Sequence, residues 1–360
     1  MEQSKPYRFE MSFEEKDLLF YDIRQAPFAV YGLYDAANQP VFRRLPEDVA
    51  AATSENVSEL ALDTAGGRVR FSTDSPYVVI KAVMPKVCRF DHMPLTGTTG
   101  MDLYVDSDGG SHYHQTLRPS LDVTDGYELL LRFENEKMRS LTLNLPPYNH
   151  LDALYIGVHK TARVEKGRPY RNAKPLVYYG SSITQGACAS RPGLSYENII
   201  ARRYDLDYVN LGFSGSGKAE LPLVDYMASM DMLAFVSDYD YNASDAAYLG
   251  ETHYRMYEII RAAHPDIPYV MVSAPKDRPF DTFIDRRDVV IDSYRRACEQ
   301  GDKNVYYIDG EGMFRGPDAD SCTVDGTHPN DLGMMKMADS IGKVLERALR
   351  YTDLGGETNE

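Results

Sequence analysis

The chain contains no tryptophan and only four cysteines, and its acidic residues outnumber its basic ones. Lysine and arginine together number 39, against 54 aspartates and glutamates, so the formal net charge is -15 at pH 7. A surface of this charge repels nucleic-acid phosphates and anionic lipids. We therefore expect neither nucleic acid nor a membrane as partner, whereas the charge carries no information about a neutral substrate.

The cysteines are widely separated and include no Cys-x-x-Cys pair; they are Cys88, Cys188, Cys298 and Cys322. Zinc sites and disulfide frameworks use closer, patterned cysteines, so neither is predicted. Scattered thiols are typical of the reducing cytoplasm. The first residues lack the apolar segment of a secretion signal, and no apolar run approaches membrane-spanning length. We expect a cytoplasmic protein.

The first part of the chain has the pattern of an all-β domain. The 360 residues suffice for two domains, and a hydrophobic content of 43% is ordinary for a globular protein. From residue 28 to about 158, short apolar runs alternate with Gly- and Asp-rich turns such as Asp106–Gly110. Regular short strands without a convincing helix predict an antiparallel β-sandwich. We assign residues 1–165 to this domain.

The second part changes to alternating strands and helices. The segment 166–175 is basic, contains Gly and Pro and has no periodic pattern, so we interpret it as a linker. Strands are predicted at 176–179, 207–211, 232–237, 268–273 and 304–308, and helices near 195–204, 219–229, 246–263, 285–299 and 332–350. This alternation predicts an α/β domain over 176–355, with a parallel sheet and helices on both faces.

A turn with two serines follows the first strand of this domain. Leu176–Tyr179 is apolar, with β-branched and aromatic residues, which is typical of a strand buried on both faces. Gly180 ends the strand, and Ser181 and Ser182 follow at its tip. Open α/β sheets bind their ligands at the carboxyl ends of the strands. Taken alone, however, such a segment is more often a serine-rich turn than a site.

Three further polar segments give this turn a context. Asp325 lies three residues before His328 on a glycine-containing loop, where a carboxylate can orient an imidazole toward a nucleophile. Between the two ends of the domain, Val209–Gly215 runs into a glycine-rich turn and Asp238–Asn242 follows an apolar strand. The four segments, in the order Ser, Gly, Asn and Asp/His, form a constellation rather than a single motif.

This order resembles the SGNH (GDSL-type) hydrolase superfamily over roughly residues 174–350. The resemblance implies that Ser182 is the nucleophile, His328 its base and Asp325 the carboxylate of a catalytic triad. It also implies a flavodoxin-like hydrolase domain. Some carbohydrate-esterase-like members carry a β-sandwich ahead of that domain, which fits the all-β, jelly-roll-like domain expected here.

The resemblance also implies an oxyanion hole. Its donors would be the backbone N–H groups of Ser182 and Gly215 and the side-chain amide of Asn242. The sequence departs from the family pattern at two places. Ser181 stands where the family has the Asp before the nucleophile, and Asn242 lacks the usual flanking Gly and Asp.

The activity implied is that of a serine esterase acting on short-chain, above all acetyl, esters of carbohydrates. The substrate would be a small-molecule or oligosaccharide ester, and the mechanism requires no metal and no organic cofactor. Arg191, just beyond the nucleophile, is a candidate for contact with polar substrate groups, as is His92 in the long loop 90–97. For each, a purely structural position is an equal alternative. Assembly into a homo-oligomer stays open.

Two other functions stay open as well. An acyltransferase would use the same triad with an acceptor hydroxyl in place of water. A carbohydrate-binding protein without catalysis would use the hydrolase domain as a scaffold, although the complete set of Ser182, Asp325 and His328 argues against it.

Two remaining features are interpreted as structural. The glycine-rich segment 210–217 lacks the Lys-Ser/Thr pair of a phosphate-binding loop. His253 and His264 lie within or at the end of a predicted helix, and we expect them on its surface.

Overall fold

The structure is a computed structural model that describes residues 6–9, 14–15, 17–275 and 281–352. The described chain divides into two compact units. The first unit contains the described residues up to Leu45 together with Ala61–Arg171 and Ser190–Gly193. The second contains Pro46–Leu60, Asn172–Ala189 and the described residues from Leu194 onward.

Within the described residues, the first unit consists of antiparallel strands and one short helix. The strands are β1 (Leu18–Asp22), β2 (Ala29–Tyr31), β3 (Arg68–Thr73), β4 (Tyr77–Val83), β5 (Met101–Ser107), β6 (Gly110–Leu117), β7 (Gly126–Arg132), β8 (Arg139–Asn144), β9 (Ala153–His159) and β10 (Val164–Lys166). One sheet has the order β1-β9-β4-β7, and the other β10-β3-β8-β5-β6 with β2 beside β3. The helix lies between β4 and β5, over Leu95–Thr98.

The two sheets share one hydrophobic core. In β3, Val69 and Phe71 face this core, while Arg68 and Arg70 alternate onto the other face. The core includes side chains from both sheets, among them Val69, Phe71, Leu141 and Leu143 from one and Val78, Ile80, Ile156 and Val158 from the other. Two antiparallel sheets packed over one core form a β-sandwich, so the predicted fold of this part is confirmed.

In its described part, the second unit contains a five-stranded parallel sheet. The strands are β11 (Leu176–Gly180), β12 (Tyr208–Gly212), β13 (Ala234–Asp238), β14 (Tyr269–Val272) and β15 (Val305–Ile308). The helices of both units are numbered together in chain order, so the helix of the first unit is α3. The described helices of the second unit are α1 (Glu47–Thr53), α2 (Glu55–Leu60), α4 (Ser182–Gln185), α5 (Tyr196–Tyr204), α6 (Leu221–Ser229), α7 (Ala246–Ala263), α8 (Asp281–Glu299) and α9 (Asp331–Thr352). None of the described helices combines the length and apolar character needed to cross a bilayer.

The strand order β12-β11-β13-β14-β15 is that of a flavodoxin-like sheet. The predicted α/β fold of this part is therefore confirmed. Strands β11 and β13 are buried at every position, including Ser237 and Asp238 at the end of β13, and their apolar residues are typical of central strands. The chain direction around the sheet reverses between them, and their ends align, with Gly180 beside Asp238. Such a switch point opens a crevice at the carboxyl ends of the strands.

Helices α1 and α2 occur where the sequence pattern suggested only strands and turns. Helices α1 and α2 lie between the second and third strands of the chain, and α1 packs against α6 of the same unit. A local signal was present, since Pro46 precedes α1 and Glu47 and Asp48 occupy its first turn. This signal is weak among the surrounding short strands. A helix of seven residues is stabilised mainly by tertiary packing, which the sequence pattern does not show.

The prediction that His253 lies on a helix surface was wrong. His253 is 1% exposed, and its ring stacks on Tyr239 with the ring centroids 5.7 Å apart. Burial lowers the pKa of His253 to about 4, so the ring is neutral at neutral pH. Leu249, Met256 and Ile260 of α7 are also buried, so His253 lies on the inward face of this helix. His264 is half-buried, and its Nε2 lies 2.9 Å from the Ala228 carbonyl oxygen.

Candidate active site

The turn after β11 places Ser182 at the start of a short helix. Ser181 is the N-cap of α4, and its Oγ accepts the N–H of Ile183 at 3.2 Å. The Ser181 N–H donates to the carbonyl oxygen of Asp238 at 3.2 Å, which ties the turn to the neighbouring strand β13. Ser182 is 9% exposed. The serine in the place of the family's Asp therefore supports the turn that presents Ser182.

Ser182, His328 and Asp325 form a hydrogen-bonded series. The Oγ of Ser182 lies 2.9 Å from Nε2 of His328. On the other side of the ring, Nδ1 lies 2.7 Å from Oδ2 of Asp325. The second carboxylate oxygen, Oδ1, accepts the N–H groups of Thr327 at 2.9 Å and of His328 at 2.8 Å. This geometry can move a proton from a serine hydroxyl to an imidazole that a carboxylate orients.

The carboxylate of Asp325 is ionised over the whole neutral range. Partial burial alone would raise its pKa, but hydrogen bonds from the His328 N–H, the His328 ring and the Thr327 N–H outweigh burial and lower the pKa to about 2. A charged acceptor at Nδ1 favours the tautomer with its hydrogen on that nitrogen. The lone pair of Nε2 is then directed toward Ser182.

The glycine-rich turn after β12 lies against the nucleophile turn. The Asn210 side-chain amide donates to the Thr184 carbonyl at 2.5 Å, and its oxygen accepts the Gly212 N–H at 2.9 Å. A Cβ on Gly212 would lie 2.3 Å from the Gln185 nitrogen, so only glycine permits this approach. Gly215 has φ of +67°, is exposed, and its N–H donates no hydrogen bond within the described residues. That N–H is available to a ligand.

Asn242 lies next to the same glycine-rich turn. It ends a short helical turn after β13, is half-buried, and donates from Nδ2 to the Phe213 carbonyl at 2.9 Å. A Cβ built on Gly217 would lie 3.4 Å from Nδ2 of Asn242 and 2.3 Å from the Gly180 oxygen at the tip of β11. Because an amide nitrogen carries two hydrogens, Asn242 retains a second donor.

Sequence reasoning gave no role to Asp238, the last residue of β13. Its carbonyl holds Ser181, and its Oδ2 lies 3.4 Å from the Thr184 hydroxyl, which in turn lies 3.3 Å from the Tyr196 hydroxyl. Burial, and then the neighbouring charge of Asp240, raise the pKa of Asp238 to about 8. Asp238 therefore contacts the nucleophile turn on both sides of Ser182. The available signal was an aspartate shortly after the apolar run 232–236.

The two predicted substrate contacts, Arg191 and His92, lie in the first unit. The guanidinium of Arg191 donates to Oδ2 of Asp102 at 2.5 Å and to the Tyr104 hydroxyl at 2.6 Å. Arg191 is thus a member of a largely buried ion pair. His92 is half-buried, with Nδ1 3.0 Å from the Asp91 carboxylate. A contact with substrate stays a prediction for both residues.

Two family models match the chain. The model described as the GDSL-like lipase/acylhydrolase family matches residues 173–346. The model described as the N-terminus of SGNH-hydrolase-type esterases, named GxDLY, matches residues 18–164. The pattern Gly-x-Asp-Leu-Tyr occurs in this chain at Gly100–Tyr104. Its Asp102 and Tyr104 accept the hydrogen bonds of Arg191. Among curated proteins, none matches the sequence.

Solved structures resemble the chain over most of its length. A Bacteroides ovatus protein named as a candidate GDSL-like lipase is 27% identical, with a TM-score of 0.81 over 91% of this chain and 98% of its own. A salicylyl-acyltransferase from a tetracycline biosynthetic pathway is 21% identical, with a TM-score of 0.74 over 93% and 98%. A family two carbohydrate esterase from Clostridium thermocellum is 14% identical, with a TM-score of 0.60 over 80% and 94%. With both parts matched, the chain belongs to the SGNH (GDSL-type) hydrolase superfamily, as a two-domain member with an N-terminal β-sandwich.

Proposed function

We propose that the protein is a serine esterase that hydrolyses short-chain esters, with acetylated carbohydrates as its substrates. One observation carries the proposal: the hydroxyl of Ser182 lies 2.9 Å from Nε2 of His328, whose Nδ1 lies 2.7 Å from Asp325. A nucleophile, a base and an orienting carboxylate in this sequence of contacts suit acyl transfer.

In the proposed reaction, His328 removes the proton of Ser182 as the serine oxygen attacks the ester carbonyl carbon. The resulting tetrahedral intermediate collapses, and the His328 imidazolium returns the proton to the departing alcohol. A water molecule then attacks the acyl-serine, with His328 again taking a proton. Carboxylic acid leaves, and Ser182 regains its hydrogen.

The negative oxygen of each intermediate needs donors that are already in place. The N–H of Gly215, the N–H of Ser182 and the second N–H of Asn242 are the proposed donors. The N–H of Gly215 donates to no acceptor among the described residues, which supports this role. Loss of one such donor typically weakens transition-state stabilisation by about 3 kcal/mol.

The substrate class rests on weaker support than the triad. The net charge of -15 disfavours anionic substrates and is compatible with neutral sugars. The Clostridium thermocellum esterase of similar fold was solved with cellohexaose. The sequence also offers no long apolar channel for a fatty acyl chain, which favours acetyl groups.

Acyl transfer to an alcohol is the second candidate. The fold is also that of a salicylyl-acyltransferase, and the same triad can deliver its acyl group to a hydroxyl other than water.

Turnover of p-nitrophenyl acetate, butyrate and octanoate tests the proposal, with product analysis in the presence and absence of an acceptor sugar. We expect acetate to give the largest kcat/KM, with free acetate as product and no turnover by Ser182→Ala. A preference for octanoate would overturn the acetyl-ester assignment. Acetylated acceptor as the main product would favour the transferase.

A further inference from the structure

One peptide group, between Phe213 and Ser214, is held on both of its edges. Its N–H donates to Oε1 of Gln185 at 2.9 Å. Its carbonyl oxygen accepts from Nδ2 of Asn242 at 2.9 Å and from the N–H groups of Ser216 at 2.9 Å and Gly217 at 3.0 Å. The orientation of this peptide group is therefore set by side chains from two other strand ends.

The next N–H along the chain belongs to Gly215, the proposed oxyanion donor. Gly215 is exposed, and a Cβ there would meet nothing within 4 Å, so no neighbouring group occupies the space beside its Cα. Its φ of +67° lies in a region that glycine enters freely and leaves as freely. The direction of its N–H consequently depends on how firmly the preceding peptide group is held.

Gln185 connects that peptide group to the nucleophile. It is the last residue of α4, the helix of four residues that begins with Ser182. Its side chain is 1% exposed, and its own N–H donates to the Ser181 carbonyl at 3.0 Å. Ser182 and the Oε1 of Gln185 thus belong to one short, buried, hydrogen-bonded unit. The Gln185 side chain thus connects the helix that begins with Ser182 directly to the peptide group that precedes the oxyanion donor.

We infer that Gln185 is a positioning residue of the reaction, which aligns the Gly215 N–H with the carbonyl oxygen of the ester whose carbonyl carbon Ser182 attacks. The inference rests on the proposed esterase function. It assigns Gln185 no contact with the substrate. Its contribution arises in the transition state, when negative charge develops on that oxygen.

The test compares three substitutions of Gln185. Gln185→Met keeps the length and removes the acceptor, Gln185→Asn keeps the amide and withdraws it, and Gln185→Glu keeps an acceptor oxygen. We expect Met and Asn each to lower kcat about 10- to 100-fold with KM nearly unchanged, and Glu to retain most of the activity. Gln25→Met is the matched control, because the buried Gln25 Oε1 has no hydrogen-bond partner among the described residues.

A second readout separates alignment from general damage to the fold. A trifluoromethyl ketone forms a tetrahedral, negatively charged adduct with an active serine, so its affinity should fall by the same factor as kcat. Unfolding temperature identifies any variant that fails to fold, and the remaining variant then decides the comparison. Wild-type kcat and inhibitor affinity in folded Gln185→Met or Gln185→Asn would overturn the inference. Absence of esterase activity in the unmodified protein would instead overturn the proposed function.

Discussion

The two halves of the candidate site are held in different ways. In the nucleophile half, Ser181, Thr184 and Gln185 are at most 1% exposed, and their hydrogen bonds reach other strand ends. In the histidine half, the side chain of Asp325 is 37% exposed, and its hydrogen-bond partners among the described residues lie two and three residues further along the chain. One half depends on the packing of the sheet, and the other on a local loop.

Because of this difference, we expect substitutions in the two halves to change the stability and the reaction rate to different extents. Changes in the buried half should lower the stability, whether or not they also lower the rate, because buried polar groups that lose a partner destabilise the fold. Changes in the exposed loop should affect the reaction far more than the fold. A backbone hydrogen bond from Cys188 to the Pro329 carbonyl, at 2.8 Å, connects the two halves.

The largest expected effect comes from Ser182→Ala. We expect turnover of p-nitrophenyl acetate to fall at least about 10⁴-fold, because the hydroxyl that attacks the ester is gone. Ser181→Ala is the matched control, since it removes the adjacent buried hydroxyl. It should remain active and lose about 1 kcal/mol of stability with its helix cap. Full activity in Ser182→Ala would transfer the nucleophile's role to another residue.

Asp325→Asn should come next. The neutral amide favours the wrong tautomer of His328, so kcat should fall about 10³- to 10⁴-fold. The hydrogen bonds that lower the pKa of Asp325 to about 2 also stabilise the fold, but the amide of the variant keeps an acceptor oxygen, so the fall in unfolding temperature at pH 7 should be small beside the loss of rate. A variant with normal kcat and a large fall in unfolding temperature would contradict the separation between the halves.

Asn242→Ala should have a smaller effect on the rate. The loss of one oxyanion donor predicts a kcat lower by about 10²- to 10³-fold, with KM little changed. Because Asn242 also holds the Phe213 carbonyl, a modest fall in unfolding temperature should accompany the rate loss. A variant with normal kcat would show that another group stabilises the oxyanion.

The pH dependence of stability sharpens the comparison on the buried side. The pKa of Asp238 is about 8 in the fold and 3.8 as an ordinary group, so the folded state binds the extra proton between these values. Its contribution makes the free energy of unfolding fall as pH rises from about 4 to about 8, by at most about 1.4 kcal/mol per pH unit. Asp238→Asn removes this contribution. The free energy of unfolding of the variant, minus that of the unmodified protein, should therefore increase with pH.

Unfolding in denaturant at pH 5, 7 and 9 measures this effect. His253 has its pKa lowered by burial and acts in the opposite sense between about 4 and 6.5, but it is present in both proteins and cancels. The exposed Asp231, changed to Asn, is the control. Parallel pH curves for Asp238→Asn and the unmodified protein would contradict the account of a buried, proton-holding carboxyl.

The sequence predicted what depends on local pattern. The parallel sheet followed from alternating apolar runs and helices, and such a sheet gathers its strand ends, where Ser182 and Asn242 lie. Asp325 and His328 were recognisable because they are three residues apart. Their catalytic roles stay predictions.

Contacts between distant segments were not predictable in the same way. The position of Gln185 in the site follows from its contact with Ser214, 29 residues away in the sequence. That of Asp238 follows from its contact with Thr184, 54 residues away. The burial of His253 likewise depends on Tyr239 from a neighbouring strand end. Neither periodicity nor composition records such pairings.

Labelling with a fluorophosphonate, followed by intact mass and peptide mapping, tests the central claim most directly. This reagent forms a stable adduct with a serine that a neighbouring histidine activates. The account predicts one adduct per chain, on Ser182, absent in Ser182→Ala and formed far more slowly in His328→Ala. An adduct on Ser181, or equal labelling of Ser182→Ala, would contradict it.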